Sequence, residues 1–102
     1  MHRLIEEQDR KLAELCVRHG VLRLELFGSA ATDRFDPMTS DLDFLVEFEP
    51  ASHRDLAEHY FGLLEELETL FQRPVDLVMT RAIKNPYFLQ GIERSRTLLY
   101  AA

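Results

Sequence analysis

A chain of 102 residues with 46% hydrophobic and 29% charged residues has enough apolar content for one packed core, which excludes a linker or a disordered tail. Its formal net charge of -6, with no Lys/Arg stripe interleaved with aromatics, argues against direct nucleic-acid binding. No apolar run approaches the length of a membrane helix, and the single cysteine, Cys16, excludes an internal disulfide framework and a Cys-rich zinc site.

The amino terminus lacks the apolar stretch of a signal peptide, so the expected location is the cytoplasm. Residues 1–102 read as one domain without repeats or linkers. Residues 3 to 19 carry Ile5, Leu12, Leu15, Cys16 and His19 at helical spacing, and Gly20 suits a helix end with positive φ. Val21 to Phe27 alternates, with Leu22, Leu24 and Leu26 on one face and Arg23 and Glu25 on the other, the period of a half-buried strand. Gly28-Ser29 breaks it. One or two helical turns over 30–35 and a turn over 36–40 lead to a second strand, Asp41 to Phe48.

Pro50 closes that strand, and Ser52 with Asp55 resembles a helix-start box before a long helix, roughly 53 to 72, carrying Leu56, Tyr60, Leu63, Leu67 and Phe71. Its glutamates Glu58, Glu65, Glu66 and Glu68 read as a solvated face or a surface for a basic partner. Gly62 within it either permits a close approach or is tolerated at about 1 kcal/mol. Val75 to Met79 reads as a third strand, about 87 to 94 as another helix and Thr97 to Tyr100 as a last strand. His53 and His59 read as surface residues and Cys16 as a small core residue. Tyr60 and Phe71 fit the core, whereas Tyr87 and Phe88 suit either packing or an interface. The expected class is α/β (α+β), with about four strands in a small mixed sheet packed against helices.

Three carboxylates lie in otherwise apolar strands. Asp41 and Asp43 alternate onto one face, with α-carbons roughly 6.5 to 7 Å apart, so their oxygens can converge on hard cations that relieve their repulsion. Asp76 becomes a third ligand if its strand lies beside theirs. Gly28-Ser29, between a strand and a helical turn, offers backbone N–H groups and a hydroxyl to phosphate oxygens.

Leu26-Phe27-Gly28-Ser29, eleven intervening residues, then Asp41-Leu42-Asp43-Phe44-Leu45-Val46 resembles the signature of the DNA polymerase beta-like nucleotidyltransferases, specifically their minimal nucleotidyltransferase (MNT) branch. The resemblance spans essentially the whole chain, including Asp76 on a later strand and the closing Leu99-Tyr100. It implies that Gly28 and Ser29 grip nucleotide phosphates and that Asp41, Asp43 and Asp76 bind two Mg²⁺ ions, with Asp76 also helping to deprotonate the attacking hydroxyl. The spacing is one residue longer than in many members. The Arg often found soon after Gly-Ser is replaced by Ala30-Ala31-Thr32-Asp33, leaving Arg34 as the nearby cation for the phosphates.

The resemblance further implies an antitoxin that transfers AMP from ATP to a tyrosine hydroxyl of a helical HEPN-type ribonuclease toxin. In 102 residues no acceptor-binding domain is expected, so the acceptor is expected to be brought by another molecule. Two other readings fit: a nucleotide-binding module that neutralises its partner by contact, and a homo-oligomer that modifies a small-molecule hydroxyl.

Overall fold

A computed structural model describes residues 3–28, 41–87, 90 and 96–102. The amino-terminal segment forms two helices, α1 (Arg3–Glu6) and α2 (Asp9–Arg18), where the apolar spacing predicts one. The break lies at Gln8, whose backbone (φ -104°, ψ 14°) leaves the helix and whose N–H donates to the Ile5 carbonyl at 3.1 Å, a tight i to i-3 closure. Ile5 and Leu12 are both buried across this turn. Glu7 and Gln8 are good helix formers, so propensity carries no sign of the break.

Among the described residues four strands follow: β1 (Val21–Phe27), β2 (Leu42–Phe48), β3 (Val75–Met79) and β4 (Thr97–Ala101), with α3 (Leu56–Phe71) between β2 and β3. They form a mixed sheet in the order β3-β2-β1-β4, in which only the β2–β3 pair is parallel. A parallel pair needs a crossover, and α3 supplies it. Helices α2 and α3 cover one face. There Phe44 stacks on Phe71 with ring centroids 6.0 Å apart, and Leu24, Leu26, Leu63 and Leu67 bury around them. Each such side chain contributes about 1.5–3 kcal/mol through burial. Cys16 belongs to this core, as its small apolar character predicts.

Three local expectations change. In β1 the register passes from Val21↔Phe48 to Arg23↔Glu47, so Leu22 is the extra residue of a bulge; Val21, not Leu22, is buried. Ser52 does not cap α3. A 3-10 turn (Pro50–Asp55) precedes that helix, and the buried Ser52 hydroxyl donates to the Gly20 carbonyl at 3.0 Å, tying the turn to the end of α2. Glu66 is half-buried rather than solvated, accepting from His19 and Arg18 across the α2–α3 contact. The predicted helical turns over 30–35, the predicted turn over 36–40 and most of the helix over 87–94 lie outside the described residues.

A Cβ on Gly62 would stand 2.8 Å from Cε1 of His19, so this glycine admits the imidazole between the helices. Gly62→Ala, which in a free helix would gain about 1 kcal/mol, is therefore expected to lower the melting temperature here. Glu66 holds the ring and opposes its swinging away. Calorimetry of Gly62→Ala with and without His19→Ala checks this: the second change should recover the loss.

The outer edge of β3 is closed by α3. Tyr60 Oη donates to the Leu77 carbonyl at 2.5 Å and the Val75 N–H donates to Glu68 Oε2 at 3.2 Å, which satisfies edge groups that would otherwise invite another strand. Among the described residues no helix is long and apolar enough to cross a membrane.

Candidate active site

The sheet face opposite α2 and α3 carries the carboxylates. In the parallel β2–β3 pair Asp43 stands directly opposite Asp76, with α-carbons roughly 4.8 Å apart at ordinary strand spacing. Asp41, two residues before Asp43, precedes β2 and alternates onto the same side. Asp43 is half-buried, whereas Asp41 and Asp76 are exposed. The sequence suggested that Asp76 would join the pair only if its strand were adjacent, and the register meets that condition.

Crowding shows in the electrostatics. Burial, then the charge of Asp76, then that of Asp41 push the Asp43 carboxyl from 3.8 up to about 6. After burial, the Asp76 charge also raises the Tyr60 phenol. None of the three carboxylates pairs with a described lysine, arginine or histidine. Concentrated negative charge without a counter-ion among the described residues fits a hard divalent cation. Among the described residues, however, no group of three or more His, Cys, Asp or Glu side chains is placed to hold a metal ion.

Gly28 follows β1 with φ +74°, a left-handed conformation that disfavours residues with a Cβ. Its neighbour across the sheet fixes the identity further, because a Cβ there would collide with Asp43 Oδ2 and stand 3.3 Å from its Cγ. Phe27, immediately before it, pairs with Asp43 in the β1–β2 register. Thus β1 delivers the Gly28 backbone against the carboxylate cluster. Ser29 and Arg34 lie outside the described residues.

Two supports were missed by reading the sequence. Phe27 and Leu45 bury together with Val78 and Ile83 beside the cluster, forming a small second core on the carboxylate face. Glu25, assigned by alternation to a polar face, is only 3% exposed. It accepts Arg96 Nε at 2.6 Å on Oε2, Arg96 Nη2 at 2.7 Å on Oε1 and Arg23 Nε at 2.9 Å on Oε1. The Arg96 hydrogen bond is the main influence holding Glu25 below the usual carboxylate range. The signal was its two-residue step from Phe27 along β1, which places it on the carboxylate face.

A cavity of about 400 Å³ lies at the other end of β2 and β3, lined by residues that include Val46, Phe48, Met79, His53 and Arg81; none of the three carboxylates lines it.

Residues 9–99 match the family described as nucleotidyltransferase domain. A Methanocaldococcus jannaschii protein provisionally named a protein adenylyltransferase is 36% identical over 76 residues, covering 74% of this chain and 74% of that protein. A solved structure provisionally described as a minimal nucleotidyltransferase is similar at 31% identity, with a TM-score of 0.64 over 90% of this chain and 89% of that one. The fold also resembles a chain of the complex between the tri-AMPylated Shewanella oneidensis HEPN toxin and its MNT antitoxin, with a TM-score of 0.61 at 17% identity over 96% and 73% of the two chains. At that identity the likeness is one of fold.

Proposed function

Because the chain belongs to the nucleotidyltransferase domain family and is a nucleotidyltransferase of the minimal type, we propose that it transfers AMP from ATP to a tyrosine hydroxyl of a HEPN-type helical partner, as the antitoxin of a two-protein module. The Asp43↔Asp76 pairing, with Asp41 two residues away and the Gly28 backbone against Asp43, is the observation that carries this reading. The AMPylated toxin beside an MNT chain of the same fold supports the choice of nucleotide and partner. The single domain acts in the cytoplasm, where ATP is plentiful, and a partner brings the acceptor.

Asp41, Asp43 and Asp76 would hold Mg²⁺, which when bound offsets negative charge on the triphosphate and on departing pyrophosphate. The Gly28 N–H and the Ser29 hydroxyl donate to phosphate oxygens, and Arg34 adds positive charge beside them. Asp76, exposed at the rim of the cluster, accepts the proton of the incoming hydroxyl. The hydroxyl oxygen bonds to the α-phosphorus of ATP, the bridge between the α- and β-phosphates breaks, and pyrophosphate leaves. The second core beneath Asp43 and the Glu25–Arg96 pair keep the strands in register while this happens.

Gly28→Ala is expected to lower transfer about 100-fold by shifting the Asp43 carboxylate, with the circular dichroism spectrum unchanged. The reading itself is tested by incubating the chain with ATP, Mg²⁺ and a HEPN-fold ribonuclease from the same genome. The ribonuclease should gain AMP on a tyrosine and lose activity. Inhibition with no mass gain would instead make the chain a module that neutralises by contact.

A further inference from the structure

We propose that the chain also modifies a second copy of itself, placing AMP on the phenolic oxygen of Tyr87. This rests on the nucleotidyl-transfer reading above and extends it to a new acceptor.

The three tyrosines differ sharply in availability. Tyr60 is half-buried and its hydroxyl donates to the Leu77 carbonyl, while Tyr100 is half-buried within β4. Tyr87 is 81% exposed. Its backbone is nevertheless anchored, because its N–H donates to Asn85 Oδ1 at 2.9 Å and Pro86 restricts the residue between them. Four residues earlier Ile83 packs with Phe27, Leu45 and Val78 on the carboxylate face. The phenol is thus presented to solvent from a tethered segment.

Charge determines what that segment suits. Residues 77–87 hold Arg81 and Lys84 and no acid, and both basic side chains are exposed. Residues 41–76 hold ten acids against Arg54 and Arg73, the active-site carboxylates among them. The basic Tyr87 segment of one copy is therefore complementary to the acidic site region of another, which favours encounter in that orientation. A ring so exposed is not seated in the site of its own copy, so transfer runs between copies.

In the step, Tyr87 Oη of the acceptor copy bonds to the α-phosphorus of ATP held by the donor copy. The bond from that phosphorus to the α–β bridging oxygen breaks, pyrophosphate departs, and the phenolic proton passes to Asp76 of the donor. The product is tyrosine O-AMP, with no change of oxidation state.

The test uses the purified full chain with ATP and Mg²⁺, read by intact-mass and peptide mass spectrometry. The expected result is a gain of one AMP residue on the peptide containing Tyr87, absent from Tyr87→Phe and from Asp43→Asn. A mass-tagged Asp43→Asn chain should gain AMP when the Tyr87→Phe chain, whose carboxylates are intact, is added. A gain that persists in Tyr87→Phe, or no gain by the tagged chain in the mixture, overturns the proposal. If a HEPN-fold partner gains AMP in the same tube while this chain does not, the proposal falls and the parent reading stands. If neither gains AMP, both fall.

Discussion

Replacing Asp41 and Asp43 together with Asn is expected to reduce AMP transfer to background while leaving a folded chain that, without metal at pH 7, is more stable than the original. Asp43 faces Asp76 across β2–β3 and has no described cationic partner, so ionising it is unfavourable in the folded state. Its folded-state pKa, about 6, lies above the ordinary 3.8. Folding therefore favours the protonated form, and the resulting stability is fully present below about pH 4 and lost as pH rises through about 6. The full shift corresponds to about 3 kcal/mol, and partial exposure reduces the expected effect to about 1–2 kcal/mol. Urea denaturation in EDTA at pH 4 and pH 7 checks this: the variant's advantage should be present at pH 7 and vanish at pH 4. Added Mg²⁺ with ATP should stabilise the original chain and leave the variant unmoved. A variant less stable than the original in EDTA at pH 7 would mean that these carboxylates are structural partners rather than a repelling cluster.

Glu25→Gln should be the most damaging single change outside the two main cores, costing about 2 kcal/mol, or about 10 °C in melting temperature for a domain of this size. Glu25 is almost fully buried and accepts three guanidinium hydrogen bonds, two from Arg96 and one from Arg23. An amide leaves one acceptor oxygen and no counter-charge. Breaking a fully buried pair costs more, but the Arg23 and Arg96 side chains are 49% and 29% exposed and can recover water. The sign with pH is opposite to that of Asp43. Because pairing holds Glu25 below its usual range, its contribution is complete above that range and lost as pH falls through the depressed value. Thermal melts of the two proteins should differ most near neutrality and converge in acid.

Strand and helix periods made most elements legible. Leu24 and Leu26 alternate in β1, Leu42, Phe44, Val46 and Phe48 share one face of β2, and Leu63, Leu67 and Phe71 mark the buried stripe of α3. Asp41 and Asp43 could be placed on one face by parity alone. Their meeting with Asp76 could not, because β2 and β3 are joined by the 16-residue helix α3, and their register follows from how that helix packs. The burial of Glu25 was hidden for a related reason: its main partner, Arg96, lies 71 residues away. Ser52 shows the limit of local motifs. Its hydroxyl serves the Gly20 carbonyl in the fold rather than the helix start four residues on. Gly62 was ambiguous until His19 arrived from another helix to occupy the space it leaves.

The proposed cation site of Asp41, Asp43 and Asp76 works together with a nucleoside triphosphate. Its most direct test is Mn²⁺, a paramagnetic substitute for Mg²⁺, titrated into the chain with a non-hydrolysable ATP analogue and followed by electron paramagnetic resonance. The expected result is depletion of the free Mn²⁺ signal beyond that caused by the analogue alone, and loss of that extra depletion in the Asp41→Asn/Asp43→Asn variant. Equal depletion by the original chain and the variant would contradict a cation site at these carboxylates.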